Sequence, residues 1–352
     1  MESPCRERIR VGVVGVGFGQ QVVVPAFRRH ADCEVAAICS TRPKKTAEVA
    51  AKLGIPLALQ SWRSMVERHD LDLIAIATPP TVQSEVARAA LEKGKAVLCE
   101  KPLAATLDEA VMLAKAAEDS GRPNMVDFEF MELPTWRRAR EILRSGDLGR
   151  PLHGSLTWQV ETYASRMGLV NWKTDSDGGG GVLNAFASHS FHYLEQLLGS
   201  IERLAARLST ATPDRSGETS AAMLLETASG ANLSAHLSSS SFLGSGHRLE
   251  LYLENGVLVL DNPTRDYMRG FRLRIGSRGQ DRLEEIELPS HAIDDVGDGR
   301  IAPVARLIRR LLDWTRDGRP VRPSIQDGLR VQKLIAAARR SHETRTWVEV
   351  PT

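Results

Sequence analysis

A glycine-rich run near the start of the chain, Gly15-Val16-Gly17-Phe18-Gly19, restricts the fold more than any other feature. The apolar residues 9–14 before it are typical of a short strand, and residues 20–30 after it have the pattern of a helix. A further apolar segment, Glu34–Cys39, predicts a second strand. A strand, a tight turn, a helix and a second strand form a β-α-β unit, so the sequence predicts a parallel sheet with crossover helices.

The same turn has the composition of a phosphate-binding site. Gly15 would permit the tight turn and Gly17 would let the backbone approach a pyrophosphate, while the helix N-terminus supplies free N–H groups. We therefore predict dinucleotide contacts at Gly15, Gly17, Phe18 and Gly19. The usual third glycine is replaced by Gln20, and the extra glycine lies one residue earlier, which predicts altered packing of the helix on the strand. The alternative is a glycine cluster without a ligand.

The end of the second predicted strand indicates which dinucleotide fits. Ser40-Thr41-Arg42 stand there, followed by Lys44 and Lys45, and none of these positions is acidic. A free ribose 2′-hydroxyl requires a carboxylate at this place, whereas a 2′-phosphate requires a small hydroxyl and a cation. Because the guanidinium fork of Arg42 matches phosphate oxygens, the sequence favours NADP(H), with NAD(H) as the alternative. In the other interpretation, these basic side chains only begin a solvated helix over residues 43–53.

Alternating strands and helices continue to about residue 120. Leu71–Ala77 is almost entirely apolar, as a strand buried on both faces must be. A helix over 81–93 and a strand over Ala96–Cys99 follow. Ligands of doubly wound sheets bind at the carboxyl ends of the strands, so we expect the segments after these two strands to lie over the nicotinamide. The predicted cofactor contacts there are Thr78, Pro79, Pro80, Glu100 and Lys101.

After residue 123 the sequence changes to segments with period-2 alternation, and Asn255-Gly256 has the composition of a two-residue hairpin turn. We therefore predict an α/β protein with a doubly wound Rossmann domain over residues 1–123. An α+β domain with a large, mainly antiparallel open sheet is predicted over 124–352, for substrate binding and oligomerisation. Its C-terminal helix, at about 324–341, is expected to pack back near the first domain. Because helices cover one face of such a sheet, we expect a homodimer or homotetramer to cover the other.

The composition excludes several other classes of protein. The net charge is only +2, and the basic runs at 137–140 and 306–310 alternate with apolar residues at helical spacing, so no nucleic-acid partner is expected. No apolar stretch reaches membrane-spanning length, and residues 1–8 lack the apolar core of a secretory signal. The four cysteines show neither disulfide nor metal-ligand spacing. We therefore expect reduced thiols, no metal, no membrane partner and a cytoplasmic location.

Several motifs together resemble the Gfo/Idh/MocA family, in order and over nearly the whole chain. They are Gly15-Val16-Gly17-Phe18-Gly19, Ala77-Thr78-Pro79-Pro80, Cys99-Glu100-Lys101-Pro102, Gly146-Asp147-Leu148-Gly149-Arg150-Pro151, Trp172 before Gly178-Gly179-Gly180-Gly181-Val182-Leu183, and Pro323-Ser324-Ile325-Gln326-Asp327-Gly328-Leu329. The resemblance implies an NAD(P)-dependent dehydrogenase or reductase for sugars, inositols, sugar nucleotides or related polyols. It also implies a Rossmann domain followed by an open-sheet domain.

The resemblance places the family's functional positions on this chain, some of them with changed residues. The lysine that contacts substrate and nicotinamide is Lys101, and the family histidine falls on His189. Its companion aspartate, three residues later, is His192 here, and the acid four residues before it is Ala185. The histidine that often follows the Thr-Pro-Pro turn is Gln83, which we count among the cofactor contacts. These changes keep the frame of the site but alter its chemistry.

The candidate residues supply the parts of a hydride-transfer site. Oxidation of an alcohol needs a base for the hydroxyl proton, and reduction needs the corresponding acid. His189 and His192 stand three apart, so they share a face of a helix, and an imidazole titrates near neutral pH. Lys101 would polarise the reacting oxygen, and Tyr163 and Trp172 would stack on or hydrogen-bond a sugar-like ring. We predict the lysine and both histidines as catalytic, and all five residues as substrate-binding; for each histidine the alternative is a structural role.

Three functions fit these features. The first is an NADP-linked dehydrogenase or ketoreductase of a carbohydrate or sugar nucleotide. The second is a non-catalytic nicotinamide-binding sensor or repressor, which the resembled family also contains. The third is redox-neutral cleavage of glycosidic bonds with a tightly held cofactor. Lys101 and His189 favour an enzyme, because a sensor has no reason to retain a proton-transfer pair.

Overall fold

Two compact units make up the protein in its computed structural model. The model describes residues 8–211, 215–264, 266–288 and 297–351. The first unit comprises Met1–Glu129 with Val296–Leu329, and the second comprises Phe130–Asp295 with Arg330–Thr352. Packing therefore groups residues 124–129 with the first unit, while the boundary after residue 123 stays a prediction about functional domains.

The first unit is built on a parallel sheet. Its strands are β1 (Ile9–Val14), β2 (Cys33–Cys39), β3 (Leu57–Leu59), β4 (Leu73–Ile76), β5 (Ala96–Cys99) and β6 (Asn124–Val126). They are arranged in the order β3-β2-β1-β4-β5-β6, with every neighbouring pair parallel. The order reverses direction between β1 and β4, which is the switch point of a doubly wound sheet. The predicted parallel Rossmann fold is confirmed.

α-Helices follow the strands of the first unit, whereas most strands of the second unit succeed one another with no helix between them among the described residues. The α-helices of the described residues are α1 (Val24–Phe27), α2 (Pro43–Leu53), α3 (Trp62–Val66), α4 (Pro80–Glu92), α5 (Leu107–Ser120), α6 (Pro134–Ser145), α7 (Tyr163–Arg166), α8 (Ser188–Leu198), α9 (Ile301–Asp317) and α10 (Ile325–Thr344). The bounds of α2 and α4 agree with the predicted helices over 43–53 and 81–93. Among these helices none is both long enough and apolar enough to cross a membrane.

The helix after the glycine run differs from the predicted helix over 20–30. It starts with a π-helical turn, Gly19–Val23, and continues as α1 only to Phe27. Pro25 lacks an N–H group and cannot make the normal helical bond to the carbonyl of Gln21. The N–H of Val24 donates instead to the carbonyl oxygen of Gly19, which gives the wider turn. The shifted glycine and the proline together explain why this helix is irregular.

The core of the first unit includes a helix from far along the chain. Helix α9 buries Val304, Leu307 and Ile308 in the same hydrophobic cluster as the strands β1 and β2. The first turn of α10 is tied to the end of the parallel sheet, where the N–H of Ile325 donates to Asn124 Oδ1 at 2.9 Å. The first unit is therefore completed by residues from a late part of the chain, between positions 297 and 329.

The second unit contains a nine-stranded sheet. Its strands are β7 (Pro151–Gln159), β8 (Ile201–Ser209), β9 (Ser220–Thr227), β10 (Asn232–Ser238), β11 (Gly246–Leu253), β12 (Gly256–Asn262), β13 (Arg272–Ser277), β14 (Glu284–Glu285) and β15 (Val348–Glu349). Their order is β14-β13-β12-β11-β7-β10-β9-β8-β15. Only β7 and β10 pair in parallel among these described strands. The predicted large, mainly antiparallel sheet is confirmed.

The predicted hairpin is present, but its turn lies one residue earlier than expected. Leu253 pairs with Gly256, so the two loop residues are Glu254 and Asn255. Gly256 belongs to β12, where a Cβ would overlap the carbonyl oxygen of Gly276 on β13. This glycine is therefore required by the close approach of two strands. Its presence beside Asn255 is explained by that packing and not by the conformation of the turn.

Aromatic rings fill the interior of the second unit. The indole of Trp158 lies between the rings of Phe186 and His247, with centroid distances of 4.3 Å to each and nearly parallel planes. The hydroxyl of Tyr193 lies 2.9 Å from His247 Nε2. Burial lowers the pKa of His247 to about 3, so this imidazole stays neutral and serves packing.

Candidate active site

The glycine run forms a turn that is locked on one side and open on the other. Gly15 has φ of +118°, and a Cβ at this position would overlap the carbonyl oxygen of Ala77, just beyond β4. Its N–H donates to the carbonyl oxygen of Cys39 at 2.8 Å. Gly17, in contrast, is exposed, and a Cβ there would meet no atom within 4 Å. Packing among the described residues therefore does not require a glycine at position 17. The close approach of a phosphate to the backbone would require one.

The rest of the turn packs against the unit and carries a nearby cation. Gly19 is buried, and a Cβ on it would lie 3.0 Å from Val13 Cγ1. The guanidinium carbon of Arg300 lies 5.0 Å from the centre of the Phe18 ring. Arg300 also binds Asp298 through two hydrogen bonds of 2.9 and 2.6 Å. Sequence reasoning missed Arg300, because nothing near residue 300 signals proximity to residue 18.

The Thr78-Pro79-Pro80 turn follows β4, the neighbour of β1. Pro80 is the first residue of α4. The hydroxyl oxygen of Thr78 is buried and has no hydrogen-bond partner within the described part of the chain. A buried hydroxyl without a partner is costly unless a ligand supplies the bond. Together with the open space at Gly17, this orphaned oxygen indicates that the edge fits a bound dinucleotide.

Ser40, Thr41 and Arg42 lie at the end of β2, where the adenine ribose would bind. The hydroxyl of Ser40 is 2.6 Å from Thr46 Oγ1 and accepts the N–H of Arg42 at 3.2 Å, so it shapes the start of α2. Thr41 and Arg42 are exposed. Among the described residues, the Arg42 guanidinium has no ion-pair or hydrogen-bond partner. A free cation thus stands at a strand end that carries no carboxylate.

Gln83 holds the segment that contains Lys101. Its side chain is 0% exposed, and Nε2 donates to the carbonyl oxygens of Glu100, Pro102 and Leu103 at 2.6, 2.9 and 3.1 Å. Its Oε1 accepts the N–H of Glu100 at 2.9 Å. Because backbone groups occupy both ends of this amide, Gln83 positions the Lys101 segment. The contact between Gln83 and the cofactor stays a prediction. Lys101 itself is partly buried.

Three carboxyl groups of the first unit, the carboxyl cluster of Glu100, Asp127 and Glu129, interact electrostatically with Lys101. Glu100 precedes it, and Asp127 and Glu129 follow β6, which is the neighbour of β5. The N–H of Asp127 donates to the carbonyl oxygen of Cys99 at 2.8 Å, which places it beside the Lys101 segment. Asp127 and Glu129 are 1% and 4% exposed. The only sequence signal for this cluster is the pair of acids, two residues apart, directly after a strand.

Burial and mutual repulsion make these acids hard to ionise. Burial, followed by the charge of Glu129, raises the pKa of Glu100 to about 7. Burial, followed by the charge of Asp127, raises the pKa of Glu129 to about 8. Burial and the neighbouring Glu100 raise the pKa of Asp127 well above its ordinary value. Lys101 opposes all three shifts, since an ammonium stabilises nearby carboxylates.

The two candidate histidines lie on α8 in the second unit. The helix begins at Ser188 after a π-helical turn, Leu183–Ala187, so His189 and His192 stand one turn apart as predicted. Both are buried, at 3% and 6% exposure. The ring of Phe130 meets His189 edge to face, with 4.8 Å between centroids. His189 is therefore held against aromatic rings that restrict its orientation.

Tyr163 and Trp172 lie on an exposed segment of the second unit. Tyr163 begins α7 and is 64% exposed, whereas Trp172 borders an open cleft. The volume of this cleft is about 630 Å³, and its lining residues are Val170, Asn171, Trp172, Thr174, Asp175, Arg215 and Ser216. The glycine run after Trp172 is required by packing, because a Cβ at Gly180 would overlap the Trp172 carbonyl oxygen. Neither candidate histidine lines the cleft.

The structure thus divides the predicted site residues between the two units. The first unit carries Lys101 and every predicted cofactor contact, from the glycine run to Glu100. The second unit carries Tyr163, Trp172, His189 and His192, with the two histidines buried in a helix and the other two on the surface. Reasoning from sequence missed Asp127 and Glu129, which become neighbours of the site through the order of the strands. It also missed Arg300, which comes near Phe18 because α9 packs in the core of the first unit.

Both parts of the chain are similar to known protein domains. Residues 9–128 match a family model described as an oxidoreductase family with an NAD-binding Rossmann fold, and residues 136–259 match the GFO/IDH/MocA C-terminal domain. The uncharacterized oxidoreductase sll0816 of Synechocystis sp. is 32% identical, over 97% of this chain and 96% of its own length. D-xylose 1-dehydrogenase (NADP(+)) 2 of Haloferax volcanii is 32% identical, over 62% of this chain and 66% of its own length.

A solved structure shows the same fold. It is levoglucosan dehydrogenase in complex with NADH and levoglucosan, which is 23% identical and superposes with a TM-score of 0.88 over 98% of this chain and 100% of its own. The family models cover both the parallel sheet and much of the nine-stranded sheet. From the two domain matches and the full-length relative, the chain belongs to the Gfo/Idh/MocA family of oxidoreductases.

Proposed function

We propose that the protein is an NAD(P)-dependent dehydrogenase or reductase of a carbohydrate-like substrate, such as a sugar, a sugar nucleotide or a polyol. One observation carries the proposal. Gly17 with its open side, the unpartnered hydroxyl of Thr78 and the ammonium of Lys101 follow the adjacent parallel strands β1, β4 and β5. A dinucleotide and a reacting oxygen need these groups at one edge of a sheet. The similarity to a D-xylose dehydrogenase supports a sugar-like substrate.

Lys101 is proposed to bind the reacting oxygen of the substrate. Its segment is fixed by the four hydrogen bonds of Gln83, so the ammonium is held in place before the substrate arrives. A fixed positive donor stabilises the negative charge that develops on this oxygen. When bound, the nicotinamide supplies or accepts the hydride, and proton transfer is left to the side chains of the protein.

His189 is proposed as the acid–base group, with His192 as its neighbour on the same face of α8. Burial protects such a proton-transfer pair from bulk water, and the edge of Phe130 fixes the ring of His189. Tyr163 and Trp172 are proposed to contact the sugar ring, because exposed aromatic rings stack on the apolar faces of carbohydrates.

NADP(H) is proposed as the preferred cofactor, with NAD(H) as the alternative. The exposed Arg42 guanidinium at the end of β2 is available for a 2′-phosphate, and no carboxylate is present there for a free ribose hydroxyl. Relatives and structural neighbours include both an NADP-named enzyme and an NADH complex. The choice therefore depends on this chain's own residues.

The outer face of the nine-stranded sheet is proposed to join copies into a homodimer or homotetramer. Strand β9 alternates buried and exposed residues, and its exposed face includes Leu224 at 51% exposure. Cross-strand pairing puts Tyr252 of β11, also exposed, on the same face. Apolar side chains on an otherwise polar sheet face are typical of a surface that a second subunit covers. Light scattering of the wild type and Leu224→Asp, with expected dissociation in the variant, tests this assembly.

The enzyme proposal is tested with purified full-length protein. Reduction of NADP⁺ and NAD⁺ is followed with aldoses, anhydrosugars and polyols, and the oxidation of NADPH and NADH with the corresponding ketones. Net turnover with at least one of these classes supports the dehydrogenase. Cofactor that binds without any turnover indicates the sensor, and cleavage of a glycoside with retained cofactor and no net redox change indicates the redox-neutral alternative.

A further inference from the structure

The open cleft of the second unit is held together by hydrogen bonds between the segments that line it. The hydroxyl of Ser216, in the loop between β8 and β9, donates to Asp175 Oδ1 at 2.6 Å. The same hydroxyl accepts the N–H of Ser176 at 2.9 Å. These bonds join that loop to the segment that carries Trp172, so bonds within the protein fix two sides of the cleft.

One side chain of this cleft is a buried cation. Arg215 lines the cleft and is only 8% exposed. Its Nη2 donates to the carbonyl oxygen of Ala164 at 2.9 Å, and its Nη1 lies 3.5 Å from Ser165 Oγ. Both partners are neutral, and within the described part of the chain this guanidinium makes no ion pair and no further hydrogen bond. Buried charges are normally paired with opposite charges, so Arg215 lacks the partner that its burial calls for.

The acid of the cleft does not supply that partner. Among the described lining residues the acid is Asp175, and its two oxygens accept the Ser216 hydroxyl at 2.6 Å and the N–H of Gly178 at 3.1 Å. The hydrogen bond from Ser216 lowers the pKa of Asp175, so this carboxyl group is ionised at neutral pH. The ammonium of Lys173 adds a second cation, 5.5 Å from the centre of the Trp172 ring. The cleft therefore carries an unpaired guanidinium as well as a carboxylate acceptor.

We infer that the cleft binds the anionic group of a carbohydrate, a phosphate or a carboxylate, through Arg215, while Trp172 stacks on the sugar ring. The inference rests on the proposed function and narrows its substrate class to anionic sugars and sugar nucleotides. The parallel N–H groups of a guanidinium match the oxygens of a phosphate or a carboxylate. Asp175 and Asn171 line the same cleft and suit the hydroxyl groups of the sugar.

The size and lining of the cleft agree with this ligand. Its volume of about 630 Å³ lies within the range of small-molecule sites, about 300–1,000 Å³, and leaves room for a sugar ring beside the anion. Neither candidate histidine lines the cleft, so the group held by Arg215 is a part of the substrate that does not react. Contacts to such a remote part orient the reacting carbon and improve its positioning. Arg215 is thus a binding residue that determines specificity.

Isothermal titration calorimetry of the full-length protein tests this site without turnover. The titrants are glucose, glucose-6-phosphate, glucuronate and UDP-glucose, each added in saturating NADP⁺ so that the phosphate-binding turn of the first unit is filled. We expect the wild type to bind at least one anionic titrant about ten- to a hundredfold more tightly than glucose. Comparison of the phosphate-bearing titrants with glucuronate shows which anion Arg215 binds.

Two substitutions in the cleft should act in opposite directions. Arg215→Gln should weaken binding of the anionic titrant by about ten- to a hundredfold and change glucose binding by less than about twofold. Asp175→Asn should strengthen binding of the anion, because it removes a like charge from the cleft, and it provides a second test if Arg215→Gln does not fold. The matched control is Arg278→Gln, an exposed arginine of the same unit whose Nε also donates to a backbone carbonyl, that of Glu254, at 2.6 Å. It should bind every titrant like the wild type.

Equal affinities for glucose and the anionic titrants in the wild type would overturn the inference, as would a wild type that binds none of them. Equal losses for glucose and the anions in Arg215→Gln would reduce Arg215 to a residue that only fixes the carbonyl group of Ala164. Anion binding that is lost in Arg215→Gln supports the cleft even when no redox turnover is found, whereas absence of turnover bears only on the proposed function.

Discussion

The two sheets of the protein present functional side chains in different ways. Strands β4 and β5 are buried along their whole length. The functional side chains of the parallel sheet therefore lie at its carboxyl edge, in the turns after β1, β4 and β5. The nine-stranded sheet alternates buried and exposed residues, and the candidate site residues of its unit come instead from α8 and from an exposed segment. In the first unit, the order of the strands brings the candidate site residues together. In the second unit, loops and helix packing determine where the candidate site residues lie. Substitutions in the two units should therefore fail in different ways.

The largest effect is expected in the second unit, at His189. His189→Ala should lower kcat by about 10²–10⁴, as loss of a general acid–base does, and leave cofactor affinity unchanged. His192→Asp should keep activity and move the pH optimum upward, because a carboxylate favours the imidazolium form of its neighbour. Rates across a pH series measure both. A near wild-type rate in His189→Ala with an unshifted profile in His192→Asp would assign both histidines to packing.

Lys101 makes the corresponding test in the first unit. Lys101→Ala should reduce kcat by about 10²–10³, the usual cost of one donor to a developing oxyanion. The dissociation constant of NADPH should hardly change, because this ammonium acts on the substrate oxygen. Fluorescence titration and steady-state rates separate the two quantities. A parallel loss of cofactor affinity would make Lys101 a cofactor residue and weaken the contrast between the units.

Arg42 tests whether one side chain at the carboxyl edge of the parallel sheet selects the cofactor. Removal of one charge-assisted contact costs ~1.5–3 kcal/mol, so Arg42→Ala should weaken NADPH binding by about ten- to a hundredfold and leave NADH binding nearly unchanged. Lys52→Ala, on an exposed position near the end of α2, is the matched control. Equal losses for both cofactors would show that Arg42 does not read the 2′-phosphate.

The smallest effect is a change in the pH dependence of stability. Glu100 and Glu129 ionise near 4.5 in an unfolded chain but at about 7 and about 8 in the folded protein. The folded state thus binds more protons, so the free energy of unfolding should fall as pH rises from about 4.5 to about 8 and level off above. Asp127→Asn should flatten this fall by about 1 kcal/mol, since it removes one repelling charge. Denaturant unfolding at several pH values measures this dependence. If the free energy of unfolding fell equally with pH in the wild type and in Asp127→Asn, the proposed repulsion among these acids would be wrong.

Sequence reasoning succeeded where local patterns and tertiary demands coincide. The strand at Ala96–Cys99 and the helix at Pro43–Leu53 were predicted with their observed bounds, because apolar runs and a proline start leave few alternatives. It did not anticipate the π-helical turn before Pro25, which depends on a missing N–H group. It also did not anticipate that Gln83 binds backbone groups 17 to 20 residues away, because these bonds form only in the folded chain.

The carboxyl cluster shows the same limit for the candidate site. Asp127 and Glu100 are 27 positions apart, and they become neighbours only because β6 adds to the sheet beside β5. The sequence shows that acids follow a strand, but not which other strand end lies next to it. The pKa values that make the cluster distinctive depend on burial, which no short pattern encodes.

The open side of Gly17 has a genetic consequence. Since a Cβ there meets no protein atom and the residue is not in the left-handed region, Gly17→Ala should fold normally, with stability unchanged or raised by about 0.4–1 kcal/mol. The added methyl group would stand where a pyrophosphate must approach. Such an allele would keep the folded protein in the cell but prevent it from binding a dinucleotide. A strain carrying the allele would show which phenotypes of a deletion come from lost activity and which come from the absence of the protein.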